Sequence, residues 1–98
     1  MTKAHEPITP GEILLTEFLE PFGISQYRLA QATALSQTRI SEIVRGKRAI
    51  TTATALRLSK ALGVDDRFWI NIQTDYDLEV ERHLHADELA KVTRLVAR

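Results

Sequence analysis

"SQTRISEIVRGKRAIT", residues 36–51, gathers four cations (Arg39, Arg45, Lys47, Arg48) against one anion, Glu42, in a 98-residue chain that carries no net charge. A solvated helix face followed by a charged loop would account for the composition of this stretch. The order of its side chains says more. Ser36 is a hydroxyl cap at the start, and Gly46 suits the left-handed position that closes a helix. Advancing about 100° per residue, Ile40, Ile43 and Val44 cluster on one side. Thr38, Ser41, Glu42 and Arg45 fall opposite, with Gln37 at the N-terminal tip. Short polar side chains of this kind hydrogen-bond base edges, on a helix narrow enough for a major groove. Arg45, Lys47 and Arg48, at the far end of the helix and in the loop after it, are placed to grip phosphates without reading sequence. Glu42 fits less well beside phosphates. It either steers Arg39 or Arg45, or accepts a bond from a cytosine amine.

Just before this stretch, Ser25 opens a helix with Leu29 and Ala30 on its inner face, and only "TALS", residues 33–36, separates it from the next. So short a turn crosses two helices, which predicts a helix-turn-helix over about 26–45. Ser25, Gln26 and Ser36 then stand at helix N-termini, where free N–H groups and the helix dipole attract phosphate. Upstream, Thr9, Pro10 and Glu12 form a cap, a first-turn proline and a capping-box acid. Ile13, Leu14, Phe18 and Leu19 supply the stripe that follows, and Pro21 with Gly23 is expected to end the element. Downstream, Thr51 or Thr52 begins a fourth helix with Ala55, Leu56, Leu58 and Leu62, stopped at Gly63. Asp65 or Asp66 begins a fifth. No segment alternates like a strand. The fold expected is all-α: a compact five-helix domain over 8–67, a flexible N-terminus over 1–7 and a helical extension over 68–98. In that extension Trp69, Ile72, Tyr76 and Val80 keep helical spacing, and Leu89, Val92 and Val96 do so again. Asp87 and Glu88 suit a new first turn, so one helix and two fit equally well.

Ninety-eight residues suggest one domain. The apolar and charged fractions, 44% and 27%, are those of ordinary globular proteins, and there is no cysteine for a disulfide or thiolate metal site. Neither an apolar run long enough for a membrane span nor a secretory N-terminus is present, so a cytoplasmic location is expected. Residues 1–62 hold eight basic and five acidic residues, and residues 63–98 hold five and eight. A basic face thus precedes an acidic segment. His83 and His85 fall on different sides of a helix and His5 lies near the terminus, so no metal site is expected. No nucleophile-and-base set or Gly-rich phosphate loop is visible, and neither catalysis nor a cofactor is expected.

These residues carry a resemblance. Residues 8–67 resemble the Cro/Xre-type, lambda-repressor-like helix-turn-helix domain. The longer run through "PGEIL", "RGKRAIT", "TALRLSKALG" and "FWINIQTDYDL" is similar to the HigA-type antitoxins. The resemblance implies a homodimer that binds a palindromic operator in double-stranded DNA, represses its own operon and neutralises a ribonuclease toxin encoded by an adjacent gene. By position it makes Gln37, Thr38 and Ser41 base readers with Arg39 beside them, and Gln26 an anchor on the DNA backbone. Ala34 departs from the pattern, standing where many such turns carry glycine. Beyond Leu84 no family pattern is recognisable.

The dimer seam is expected on the fifth helix, where Phe68, Trp69, Ile72 and Tyr76 exceed what one small core absorbs; the alternative is that all four pack on the first and fourth helices. Residues 65–81 hold six acids and one arginine, and a basic ribonuclease would complement them. Asp75, Asp77 and Glu79 are therefore candidate toxin contacts, unless the acids only solubilise the helix. The stripe of Leu89, Val92, Leu95 and Val96 is a second candidate. Two other functions fit the motif: a stand-alone Xre-type regulator without a toxin, and a protein-binding adaptor that no longer touches DNA.

Overall fold

The computed structural model describes residues 6–97; His5 and the rest of residues 1–5 lie outside them. Among the described residues the secondary structure is entirely helical. Helix α1 covers residues 10–22 and comprises an α segment Pro10–Leu14, a widened π segment Leu15–Leu19 and a last α turn Glu20–Phe22. It is followed by α2 (Gln26–Thr33), α3 (Gln37–Val44), α4 (Thr52–Leu62), α5 (Phe68–Leu84) and the short α6 (Ala86–Leu89).

Four of the starts are the hydroxyl caps that the sequence offers. Thr9, Ser25, Ser36 and Thr51 each accept a bond from the backbone N–H three residues on, satisfying one of the orphan donors of a helix N-terminus. At α5 the expected Asp65 acts differently. Its carboxylate accepts from the Arg67 N–H at 2.9 Å and its carbonyl from the Phe68 N–H at 3.0 Å, so it shapes a turn just ahead of the helix. Pro21, expected with Gly23 to end α1, sits instead inside its last turn. A proline ring there removes one N–H and crowds a carbonyl of the preceding turn. The helix accommodates it by widening, and the Glu20 N–H reaches back to the Leu15 carbonyl. Gly23 then ends it in the left-handed conformation.

The core is formed by Leu14 and Leu19 of α1, Leu29 and Ala30 of α2, Ile40 and Ile43 of α3, Ile50, Ala55 and Leu58, and Trp69 of α5. Trp69 has no exposed surface. Its ring lies 5.3 Å from Phe18 and 5.1 Å from Phe68, which itself meets Phe18 edge-on at 5.7 Å. The first turns of α5 therefore complete the core of the helix-turn-helix body.

The extension settles the choice between one helix and two: α5 ends at Leu84, His85 breaks the helical conformation, and Asp87 and Glu88 lie in the first turn of α6. The later stripe is corrected. Leu89 is the last residue of α6, and Val92, Leu95 and Val96 follow it outside any helix. Four residues of helix with no side-chain cap cannot propagate on periodicity alone. The radius of gyration, 16.2 Å, exceeds the roughly 12.5 Å of a compact chain this long. Among the described residues no helix is long and apolar enough to cross a membrane.

Candidate nucleic-acid interface

Helix α3 is fixed from three directions. Its inner face buries Ile40 and Ile43 completely or nearly so. On one flank the backbone of α1 comes so close that a Cβ placed on Gly11 would lie 1.7 Å from the Ile43 carbonyl oxygen. Only a residue without a side chain permits that approach. At the C-terminal end, Gly46 (φ +75°) closes α3 in the left-handed form. The Lys47 N–H donates to the Glu42 carbonyl at 2.8 Å and the Gly46 N–H to that of Ile43 at 3.0 Å, the two bonds of a Schellman motif.

The turn between α2 and α3 uses the same motif without glycine. Ala34 sits at φ +60°. The Leu35 N–H bonds to the Ala30 carbonyl at 3.0 Å and the Ala34 N–H to that of Gln31 at 3.3 Å. Arg57 of α4 supplies a brace, its Nη1 donating to the Thr33 carbonyl at 2.8 Å. That carbonyl belongs to the last turn of α2, where the helix itself supplies no donor for it. The crossing of the two helices is thereby tied to α4.

On this scaffold Gln37 and Thr38 are exposed and Ser41 half-buried on the outer side of α3. Among the described residues none hydrogen-bonds their side chains, so their donors and acceptors are available to a ligand. Arg39 is not brought to this tip. It lines a groove with Ser36, Ala53, Thr54 and Arg57 on the flank facing α4. Ser25 and Ser36 use one lone pair each to cap a helix, which leaves the hydroxyl hydrogen to donate to an anion. Gln26 is the first residue of α2, half-buried beside them. Arg45 is exposed, with its Nε 3.4 Å from the Ser41 carbonyl, and Lys47 is exposed in the loop.

Glu42 is neutralised by neither expected partner: it pairs with Arg48, whose Nε lies 2.8 Å from the carboxylate. Arg48 therefore offers less free charge than expected, and Glu42 repels an anion less. Tyr27 and Arg28, which no motif singles out in the sequence, are exposed in the first turn of α2 next to Gln26. Their one signal is position, directly after a serine cap. Arg57 gives no such signal, because its partner is 24 residues away.

The seam residues divide. Trp69 is withdrawn from any intermolecular surface by its burial in the protomer, because its ring packs into the body against Phe18 rather than facing outward. Phe68 is half-buried against Phe18 and Trp69. Ile72 and Tyr76, also half-buried, line a groove with Ile8, Ile13, Asp75 and Glu79. Asp77 is exposed and accepts from Gln73 Nε2 at 2.9 Å. Leu89, Val92 and Val96 are all exposed.

The helix-turn-helix family model matches residues 15–69. Virulence-associated protein I of Dichelobacter nodosus is 52% identical over 73 residues, covering 74% of this chain and 68% of its own length. Antitoxin HigA-1 of Vibrio cholerae is 38% identical over 84 residues, covering 86% and 79%. Among solved structures, the Pseudomonas aeruginosa antitoxin HigA with the higBA promoter superposes with a TM-score of 0.86 at 35% identity, covering 93% of this chain and 100% of that one. A chain with this capped helix pair, closed after α3 by Gly46, and these relatives belongs to the Xre-type helix-turn-helix family, among its HigA-type antitoxins.

Proposed function

We propose that this protein is a HigA-like antitoxin that binds operator DNA as a two-fold dimer, represses its own operon and neutralises a ribonuclease toxin encoded beside it. It acts by binding alone, in the cytoplasm, with no cofactor. The observation that carries the DNA half is the outer face of α3, where Gln37, Thr38 and Ser41 stand unengaged on a helix pinned by Gly11 and Gly46, next to an α2 that Arg57 braces. Those three side chains read bases in the major groove, with Arg39 on the flank. Ser25, Gln26, Ser36, Arg45, Lys47 and Arg48 hold phosphates. The pair of antitoxins gives half-sites about one helical turn apart, roughly 34 Å.

Residues 8–67, whose core the first turns of α5 complete, form the DNA-binding unit in this proposal, and the rest of residues 68–98 serves dimerisation and partner binding. Phe68, Ile72 and Tyr76 remain the dimer seam. Asp75, Asp77 and Glu79 face the toxin, as do Leu89, Val92 and Val96, whose exposed apolar surface a partner would cover. Co-expression with the adjacent gene product tests this reading. Growth should be restored by this chain and lost again when Asp75 and Glu79 are reversed in charge or the chain is cut before His85. An adjacent product that is harmless, or that does not co-purify, makes the protein a stand-alone regulator. Absence of any salt-dependent affinity for duplex DNA makes it an adaptor.

A further inference from the structure

The loop that carries Lys47 and Arg48 ends at Ile50, whose side chain is in the core. The Ile50 N–H is buried with it and does not bond to another backbone group. It donates to Gln73 Oε1 at 2.8 Å, across 23 residues of sequence. Gln73 is 8% exposed, and its Nε2 donates in turn to Asp77 Oδ1 at 2.9 Å, one helical turn further along α5. The two neighbours fix one orientation of the amide. An N–H requires the oxygen opposite it, and a carboxylate requires the NH₂. An inverted amide would set donor against donor and oxygen against oxygen. Asp77 and Gln73 also line the cleft whose far wall is Gly46, Lys47, Arg48 and Ala49.

The loop is therefore held at one end by the closing bonds of α3 and at the other by an α5 side chain. We propose that Gln73, oriented by Asp77, is a positioning residue for DNA binding: it holds the loop behind the recognition helix where Lys47 and Arg48 meet phosphates. This rests on the reading of the chain as a DNA-binding protein. It makes α5 part of the DNA-binding machinery, although no residue of α5 touches DNA in this account.

Two variants of the full chain test it. Gln73→Met removes the acceptor without changing charge. The double variant Gln73→Glu with Asp77→Asn exchanges the amide and the carboxylate. Its carboxylate at position 73 accepts both from the Ile50 N–H and from the new amide at position 77, at unchanged net charge. The readouts are amide hydrogen exchange at Ile50 and affinity for a duplex operator and for a random duplex across a salt series. Gln73→Met should speed Ile50 exchange about tenfold, as expected for one lost buried bond. It should weaken both duplexes alike, by up to about tenfold, with a flatter salt dependence. The double variant should return both readouts to within about twofold of the natural chain.

The proposal is overturned if Ile50 exchange is unchanged in Gln73→Met. It is equally overturned if exchange rises while DNA affinity stays put, or if the double variant fails to restore either readout. Should Gln73→Met not fold, the double variant alone decides. A natural chain that binds no duplex at all sinks the DNA-binding reading, and the Ile50 exchange still shows whether the anchor exists.

Discussion

Replacing Gly11 with alanine sets local preference against tertiary packing, and the structure says which wins. Within a helix, alanine is favoured over glycine by up to about 1 kcal/mol. Gly11 is the second residue of α1, so the substitution read on the helix alone should stabilise. The added Cβ, however, would lie 1.7 Å from the Ile43 oxygen, 2.6 Å from the Ile43 carbonyl carbon and 2.9 Å from Val44 Cα. Carbon–oxygen contacts begin at about 3.3 Å, so α1 and α3 must part by roughly 1.5 Å. All three atoms are backbone, and no change of rotamer relieves them. Overpacking costs typically about 1–3 kcal/mol, and a rigid backbone clash belongs at the upper end. The net loss should be about 2 kcal/mol, which lowers the Tm of a domain this size by about 10 °C. Urea unfolding at fixed protomer concentration measures it, the concentration being held because dimer formation would contribute. Operator affinity should fall more than affinity for random DNA, because α3 is the element displaced. A Gly11→Ala protein as stable as the natural chain, or more so, would mean that α1 and α3 do not pack this closely.

Other substitutions separate the parts of the same device. Ala34→Gly should stabilise by about 0.5–1 kcal/mol, since relief of the left-handed strain exceeds the added chain entropy; thermal unfolding reads it, and DNA affinity should not change. Arg57→Met removes the bond to the Thr33 carbonyl and should cost about 1–2 kcal/mol of stability, measured in the same way. Glu42→Gln breaks the exposed pair with Arg48 and should change stability by no more than about 0.5 kcal/mol. The freed guanidinium should tighten binding to random duplex and steepen its salt slope by up to about 0.9, which a fluorescence titration across a salt series detects.

What is legible in the sequence is local. Thr9, Ser25, Ser36 and Thr51 announce helix starts because a hydroxyl cap acts within three residues, and Gly23, Gly46 and Gly63 announce ends for the same reason. The polar face of α3 is legible because helical period alone sorts Gln37, Thr38 and Ser41 from Ile40 and Ile43. Trp69 is misplaced by the sequence because periodicity shows that Phe68, Trp69, Ile72 and Tyr76 share a helix, not which of them faces the body. Pro21 reads as a stop because a proline removes an N–H and crowds the turn before it; the same residue is also compatible with a widened turn, and local sequence does not choose between the two outcomes. The stripe from Leu89 to Val96 has helical spacing but no cap or packing surface, and spacing without either does not hold a helix. Arg57 and Gln73 are invisible as supports, since their bonds span 24 and 23 residues and depend on how α4 and α5 pack.

If α3 reads bases while its loop holds phosphates, the two roles separate in a salt series on two variants. Gln37→Ala should lower operator affinity by about 1–3 kcal/mol, leave random duplex untouched and keep the salt slope of the natural chain. Lys47→Ala should weaken operator and random duplex alike and reduce the slope by about 0.9. Two variants that lose affinity in the same way, or a Gln37→Ala protein with unchanged preference for the operator, would contradict the account.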